Sequence, residues 1–317
     1  MTRPRSALVS LEETPYYHCI SRCVRRAFLC GQDRFTGKSF NHRKPWLVKR
    51  FRLLSGVFAI DIAAYAVMSN HYHLVLHVDQ HRSQQWSDDE VIDRWLMLYK
   101  GPVLVQRFKK GEPLLPAEMS KMLEIVHTWR DRLSSISWFM ACLNEYIARK
   151  ANAEDNCKGR FWEGRFVSKA LLDETALLST MAYVDLNPVR AGIAHNLKES
   201  SFTSIQDRIK EVAGQSLNHK PPLMAFSESK THDEKVTTLP FHLKDYIELV
   251  DWTGRIVRKK KRGFIAAEEP KILKALRLTT QDWEYLSLAI QKRSINTIHG
   301  LERLKAHNNQ QSKTLAA

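Results

Sequence analysis

The stretch Ser69-Asn70-His71-Tyr72-His73-Leu74-Val75-Leu76-His77-Val78 carries the clearest structural pattern in the chain. Two turn-forming residues precede a segment whose alternation has a period of two, which predicts a β-strand. Side chains two apart on a strand point to the same face, so His71, His73 and His77 share one face with Val75. The opposite face is predicted to be buried and carries Tyr72, Leu74, Leu76 and Val78.

Two of these histidines are spaced for a metal site. The backbones of His71 and His73 are about 6–7 Å apart on a strand, so their imidazoles can converge on one ion. The alternative is a polar strand face that carries histidines without any ligand. The strand alone leaves both interpretations open, because short patterns are common and metal sites are rare.

The composition bounds the class of protein. The chain has 317 residues, of which 44% are hydrophobic and 26% charged, and its formal net charge is +15. These values predict one large or two ordinary domains with a packed core, and a polyanionic partner, with nucleic acid as the first candidate. No run of about 18 apolar residues is present, so no membrane span is expected.

The compartment is predicted from the cysteines and the N-terminus. The five cysteines include no C-x-x-C pair, which indicates a reduced cytoplasmic protein rather than a disulfide framework. The basic N-terminus has no apolar segment behind it, so no secretory signal is expected. A cytoplasmic location is therefore expected, and a nucleoid-associated one if the polyanionic partner is DNA.

The hydrophobic periodicity, together with residues that begin, bend or end helices and strands, predicts the secondary-structure elements. Strands are expected at 16–26 and Ile60–Met68, the second forming a hairpin with the histidine strand. Further predictions are a helix from Pro45 to about Ala59, a helix capped by Asp88 to about Lys100, irregular chain over 101–116, helices over 117–133 and 136–152, a strand bent at Gly164, and a helix from Asp173 to Asn187. This order predicts an α+β fold with a small antiparallel sheet.

Changes of composition predict the domain organisation. The segments are a basic arm over 1–14, a main domain over 15–205 with a helical insertion at about 88–152, a linker over 206–240 and a basic helical region over 241–317.

Three groups of basic residues are candidate DNA contacts. One lies at the end of the first strand, one in the segment GRFWEGRF, where aromatic and basic residues interleave, and one in a run near the C-terminus. The alternative for each is a solvated face, with Phe161 and Phe166 of the second group in the core. The residues are Arg22, Arg25 and Arg26; Arg160 and Arg165; and Arg258, Lys259, Lys260, Lys261 and Arg262.

The second informative stretch is Tyr183-Val184-Asp185-Leu186-Asn187-Pro188. Tyr183 and Asn187 are four residues apart and share a face if the segment is helical. An amide oxygen and two imidazoles suit an octahedral divalent cation with positions left for phosphate oxygens. A tyrosine beside such a site can attack a phosphodiester, although this stretch alone also fits an ordinary helix end.

Taken together, four segments resemble one family. YHCISR, AVMSNHYHLVLH, GRFWEGRF and YVDLNPVRAGIA follow the order and spacing of the HUH-type single-tyrosine transposases, in particular the REP-associated tyrosine transposases. The resemblance covers roughly residues 15–200. It implies a ferredoxin-like sheet with helices, and single-stranded or hairpin DNA as the substrate.

The resemblance also implies roles for individual residues. His71 and His73 would bind Mg²⁺ or Mn²⁺, Asn187 would complete the metal site, and Tyr183 would be the nucleophile. The implied reaction is DNA cleavage and rejoining through a 5′-phosphotyrosine, which conserves the bond and needs no ATP.

Two other interpretations are kept beside the transposase. One is a DNA-hairpin-binding protein derived from a transposase that no longer cleaves. The other is a structural zinc site of His71, His73 and His77, for which no fourth ligand is evident nearby. The insertion and the C-terminal region inherit no function from the resemblance, and both a monomer and a homodimer remain open.

Overall fold

The computed structural model of the protein describes residues 9–24, 29–33, 36–215, 222–227, 237–259, 270–290 and 297–298. Its strands are β1 (Tyr16–Arg22), β2 (Ile60–Val67), β3 (His71–Val78), β4 (Val167–Leu171) and β5 (Thr297–Ile298). They form one sheet in the order β2-β3-β1-β4-β5. The first four strands pair antiparallel, and β5 pairs parallel to β4.

Helices connect and cover the sheet. They are α1 (Lys44–Val57), α2 (Gln80–Gln85), α3 (Asp88–Leu96), α4 (Val103–Lys109), α5 (Pro116–Leu133), α6 (Ile136–Glu154), α7 (Glu174–Asp185), α8 (Asn187–Arg190), α9 (Ser204–Val212), α10 (Leu243–Lys259), α11 (Lys271–Ala275) and α12 (Thr280–Ala289). The path β1-α1-β2-β3-helices-β4, with β1 and β3 in the centre, is the ferredoxin-like arrangement. The predicted α+β fold with a small antiparallel, ferredoxin-like sheet is confirmed for β1–β4, and α3–α6 lie in the segment that is predicted to be a helical insertion.

One face of the sheet is covered by α1 and α6. Tyr72, Leu74 and Leu76 of β3 are fully buried there with Phe51 of α1 and Phe139 of α6. Pro45 lies in the first turn of α1, where its missing N–H costs no helical hydrogen bond. The alternating residues of β3 therefore form a strand with one fully apolar face, as the sequence predicts.

The other face, which carries the histidines, is covered by α7 and by helices that follow it. Val75 of β3 is buried among α7 side chains such as Leu178 and Met181, and this cluster continues into Leu249 of α10 and Trp283 of α12. The described part of the C-terminal region therefore packs against the same core as α7.

Two predicted peripheral segments also pack on the sheet. In the predicted N-terminal arm, Thr14 donates a hydrogen bond of 2.6 Å to the carbonyl of Leu171 at the end of β4. In the predicted linker, α9 contacts β2, and Met224 donates its backbone N–H to the carbonyl of Ile62 at 2.9 Å. These hydrogen bonds fix the described residues of both segments to the edges of the fold.

The insertion differs from its prediction at two places. Ser87, not Asp88, caps α3, because its side chain accepts from the Glu90 N–H while the Glu90 carboxylate accepts from the Ser87 N–H. The region predicted to be irregular contains α4, which begins after Pro102. The two long helices, α5 and α6, lie where the sequence predicts them.

The segment GRFWEGRF is not a strand. Within it, Trp162 forms an isolated bridge with Cys23 and donates its indole N–H to the carbonyl of Asn144 at 2.8 Å. Phe161 is buried in the core, as the alternative interpretation of this segment expects. Regular pairing with β1 begins only at Val167.

The helix after β4 ends earlier than predicted. Asp173 caps α7 by accepting from the Ala176 N–H, as expected, but α7 stops at Asp185. Asn187 begins a separate short helix, α8, with Pro188 in its first turn. The proline lacks the N–H that a continuous helix needs at this point, so it separates the two helices.

All five cysteines lie in the described part of the chain, and none of them forms a disulfide bond. No helix among the described residues has the length and apolar content needed to cross a membrane.

Candidate active site

A cavity of about 340 Å³ lies on the histidine face of the sheet. Strand β1 contributes His18 and Arg22, β3 contributes His71 and His73, and α7 contributes Tyr183. Side chains an even number of residues apart on a strand point to the same face, so His18 and Arg22 share this face with His71 and His73. Helix α7 crosses the face beside them. The structure thus brings together the predicted nucleophile, two predicted metal ligands and, with Arg165, two predicted DNA contacts.

The two histidines of β3 lie side by side in the cavity. Their ring centroids are 4.9 Å apart, and the ring planes are 76° apart. His71 Nδ1 is 2.6 Å from Oδ1 of Asn70. An amide oxygen only accepts, so Nδ1 of His71 donates and a neutral ring keeps its lone pair on Nε2.

His73 is held by a histidine that sequence reasoning missed. Nδ1 of His73 lies 2.9 Å from Nε2 of His18, and the two side chains are buried, with 3% and 0% of their surface exposed. Nε2 of His73 and Nδ1 of His18 are buried without a hydrogen-bond partner among the described residues. The available signal was the strand pattern of β1, which places His18 and Arg22 on one face.

Burial keeps both of these imidazoles neutral. Desolvation, followed by the charges of Lys169 and His71, lowers the pKa of His18 to about 3. The pKa of His73 is also well below its ordinary value, again mainly because of burial. Neutral rings are the form that binds metal ions.

The tyrosine of α7 stands beside this pair. The Tyr183 ring centroid is 5.8 Å from that of His73 and 6.2 Å from that of His18. Burial raises the pKa of the phenol, whereas the charges of Arg190 and Arg22 lower it. The guanidinium of Arg190 lies 5.2 Å from the Tyr183 ring centroid, so this residue of α8 also belongs to the surroundings of the tyrosine.

Further basic side chains line the cavity. Arg165, a predicted DNA contact, is exposed at its rim, and Lys169 of β4 is buried inside. Nζ of Lys169 donates to the carbonyl of Ile290 at 3.2 Å, and burial lowers the pKa of this amine. Ile290, directly after α12, lines the cavity as well, so the C-terminal region contributes to its wall.

The predicted third metal ligand is not in this cavity. Nδ2 of Asn187 donates to the backbone carbonyls of Tyr183 at 3.0 Å and Val184 at 3.4 Å. Because Asn187 begins α8 rather than continuing α7, its amide satisfies the end of α7. These contacts use the amide nitrogen and not the amide oxygen, so the assignment of Asn187 to the metal site stays a prediction.

His77 lies at a different place on the same strand. Its Nδ1 is 3.3 Å from Oδ2 of Asp61, and Oδ1 of the same carboxylate accepts from Arg82 at 3.0 Å. His77 is not among the residues that line the cavity. The arrangement gives no support to a zinc site of His71, His73 and His77.

The other predicted DNA contacts fall into two groups. Arg160 is exposed and does not line the cavity. Arg258 and Lys259 end α10. The side chains of these two, and the whole of Arg25, Arg26, Lys260, Lys261 and Arg262, lie outside the described residues.

The donor set of the cavity fits a divalent cation only in part. The unpartnered Nε2 of buried His73 and the Nε2 lone pair of His71 are two imidazole ligands in one cavity. The described residues contain no cluster of three His, Cys, Asp or Glu side chains that could hold a metal. A cation here would need waters or substrate phosphate oxygens to complete its coordination.

No protein-family model and no curated protein matches this sequence. Among solved structures, the chain is similar to a REP-associated tyrosine transposase bound to a REP hairpin, with 10% sequence identity and a TM-score of 0.36. The match covers 67% of this chain and 93% of that one. At this TM-score the similarity adds no weight to a functional assignment, which depends on the cavity itself.

Proposed function

We propose that this protein is a DNA transposase that cleaves and rejoins single-stranded or hairpin DNA with Tyr183 as its nucleophile. The observation that carries the proposal is the position of Tyr183, whose ring stands 5.8 Å from His73 in a cavity also lined by Arg22, Arg165 and Lys169. A phenol, two neutral imidazoles and several cations in one cavity suit attack on a phosphodiester.

In the proposed reaction, the Tyr183 oxygen attacks the scissile phosphorus and loses its proton to solvent. The bond from phosphorus to the 3′ oxygen breaks, and that oxygen takes up a proton to leave a free 3′-hydroxyl. A 5′-phosphotyrosine remains on the protein. Attack by another 3′-hydroxyl reverses these steps, so one phosphodiester is exchanged for another without ATP.

The basic side chains would hold the phosphate while the bond changes. Arg22 and Arg190 surround the phenol and favour its ionised form, which is the better nucleophile. Arg165, at the rim, can contact the DNA backbone on either side of the cleaved bond. The net charge of +15 supports such binding through the rest of the surface.

His71 and His73 are the residues that would hold Mg²⁺ or Mn²⁺. When bound, the cation would supply positive charge beside the non-bridging oxygens of the phosphate. Asn187 does not line the cavity, so water and substrate oxygens would fill the remaining positions. We further propose a cytoplasmic, nucleoid-associated protein, acting as a monomer or a homodimer.

The test is formation of a covalent adduct. The full chain is incubated with 3′-labelled hairpin and single-stranded DNAs and Mg²⁺ or Mn²⁺, then denatured and separated by electrophoresis. The expected result is labelled protein that disappears in Tyr183→Phe and in the presence of EDTA. Wild-type amounts of adduct in Tyr183→Phe would exclude Tyr183 as the nucleophile.

A DNA-hairpin-binding protein without cleavage is the second candidate. It is favoured by the position of Asn187 and by the lack of a third side-chain metal ligand among the described residues. Hairpin binding in a mobility-shift assay, with no adduct under any metal condition, would support it over the transposase.

A further inference from the structure

The buried hydrogen bond between His18 and His73 joins the two central strands inside the cavity. The β1–β3 register pairs Ile20 with His73 and His18 with Val75, so the two histidines are diagonal neighbours on one face. Their ring centroids are 5.1 Å apart, and the ring planes are 22° apart. Both backbones belong to paired strands, so the contact has little freedom to rearrange.

One hydrogen bond between two neutral imidazoles allows two proton arrangements. In the first, Nδ1 of His73 donates to Nε2 of His18, and Nε2 of His73 carries a lone pair. In the second, Nε2 of His18 donates, and Nε2 of His73 carries a proton instead. Only the first arrangement makes His73 a metal ligand, because a protonated ring nitrogen cannot coordinate.

The neighbouring residues favour the first arrangement. Asn70 accepts the Nδ1 proton of His71, which leaves Nε2 of that ring as the lone-pair nitrogen. With an acceptor also at Nδ1 of His73, both rings carry their lone pair on the same nitrogen, Nε2.

We propose that His18 is a positioning residue that accepts the Nδ1 proton of His73 and so keeps the Nε2 lone pair of His73 facing the cavity. Its importance for cation binding rests on the proposed function. Outer-shell acceptors of this kind fix the tautomer and orientation of metal-ligating histidines in general. Sequence reasoning assigned no role to His18, since the pairing register is needed to place it.

The first test reads the tautomer without any metal. Nitrogen-15 NMR of the imidazoles in the metal-free full chain assigns the protonated nitrogen of His73. The expected state is Nδ1–H in the wild type and in His18→Gln, whose amide oxygen reaches close to the position of Nε2. In His18→Asn, whose side chain is one carbon shorter, and in His18→Phe, a shift toward Nε2–H is expected.

Two NMR results overturn the proposal. One is a wild-type His73 protonated at Nε2. The other is an Nδ1–H tautomer that persists in the Asn or Phe variant. The wild-type spectrum gives a decision even where a variant does not fold.

The second test measures Mn²⁺ affinity by electron paramagnetic resonance titration of the same proteins, each checked for folding by circular dichroism. A loss of about 10- to 100-fold is expected in His18→Phe and His18→Asn, as for other outer-shell residues, with recovery in His18→Gln. His77→Phe, a buried histidine of β3 outside the cavity, is the matched control and keeps wild-type affinity. Equal affinity in all His18 variants would contradict the role of His18.

The two tests separate the two proposals. A wild type that binds no Mn²⁺ and forms no adduct would refute the proposed function, while the NMR result still decides whether His18 sets the tautomer of His73. A wild type that binds Mn²⁺ with His73 insensitive to His18 would refute the positioning role alone.

Discussion

Tyr246 of α10 donates a hydrogen bond of 2.5 Å to the buried carboxylate of Asp185, two residues beyond Tyr183 on α7. The same carboxylate accepts from the Ser204 hydroxyl at 2.5 Å and from the Ile205 N–H at 2.9 Å. Three donors from two other helices thus converge on the last residue of α7. The helix that presents the proposed nucleophile is fixed at this end by α9 and α10.

Removal of the Tyr246 hydroxyl tests this connection. Tyr246→Phe should lower the free energy of unfolding by about 1.5–3 kcal/mol, because a buried carboxylate loses one of its donors. Urea denaturation gives this value. Tyr146→Phe on α6, where the tyrosine is partly exposed, is the control and should change stability by less than about 0.5 kcal/mol. Similar values for both variants would show that the hydrogen bond contributes nothing specific.

Asp185 also makes stability depend on pH. Burial raises its pKa from 3.8 to about 6, although its hydrogen bonds and Arg208 oppose this shift. A folded-state pKa above the unfolded one means that this contribution is fully present below pH 4 and lost as pH rises through 6. The Asn variant lacks this contribution. The wild-type free energy of unfolding minus that of Asp185→Asn should therefore fall by about 2.4 kcal/mol between pH 4 and pH 7. A difference independent of pH would contradict the raised pKa.

The parts of the site that sequence predicts are those that depend on local pattern. His71 and His73 share a face because of the period of one strand, and Tyr183 lies on a helix that Asp173 caps. The position of His18 against His73 depends on the register between β1 and β3, which is set by packing across the sheet. No local signal in either strand specifies that register.

Asn187 shows a case in which a local rule does not settle the arrangement by itself. The spacing of four residues from Tyr183 places the two on one face only while the helix continues. Pro188 allowed two outcomes, a helix that includes Asn187 or a new helix that begins there, and the structure has the second. Ile290 contributes to the cavity wall and accepts a hydrogen bond from Lys169. The two residues are 121 positions apart in the sequence, so no periodicity of the sequence can predict this contact.

Single substitutions distinguish the two proposed metal ligands from the third histidine of β3. His71→Ala and His73→Ala should each abolish Mn²⁺-dependent adduct formation, because two imidazoles are the whole side-chain donor set proposed. His77→Ala should leave most of the activity, since His77 pairs with Asp61 away from the cavity. Adduct yield and Mn²⁺ affinity are the measurements. Equal damage from His77→Ala and His73→Ala would require a different metal site.

The arginines of the cavity should contact DNA phosphates. Arg22→Gln and Arg165→Gln should each lower the slope of log affinity against log salt by about 0.7 for single-stranded DNA, the value expected for one lost phosphate contact. Arg160→Gln, five residues from Arg165 and outside the cavity, is the matched control for charge and should keep the wild-type slope if the cavity is the DNA site. A change in slope with Arg160→Gln alone would move the contact to the surrounding surface.

The C-terminal region should be needed for the fold of the site as well as for its charge. Truncation after residue 240 removes Tyr246, Leu249 and Trp283, all buried against the cluster around α7. The remaining chain would expose that apolar surface and leave Asp185 without one of its donors, so we expect a large loss of thermal stability and no adduct. Replacement of residues 258–262 by glutamine in the full chain is the comparison, since it removes five charges and keeps the helices. That variant should retain wild-type stability by circular dichroism and form adduct, with a lower salt slope if the run binds phosphate. A truncated protein that melts at the wild-type temperature and still forms adduct would show that α7 and its tyrosine are held by the sheet alone.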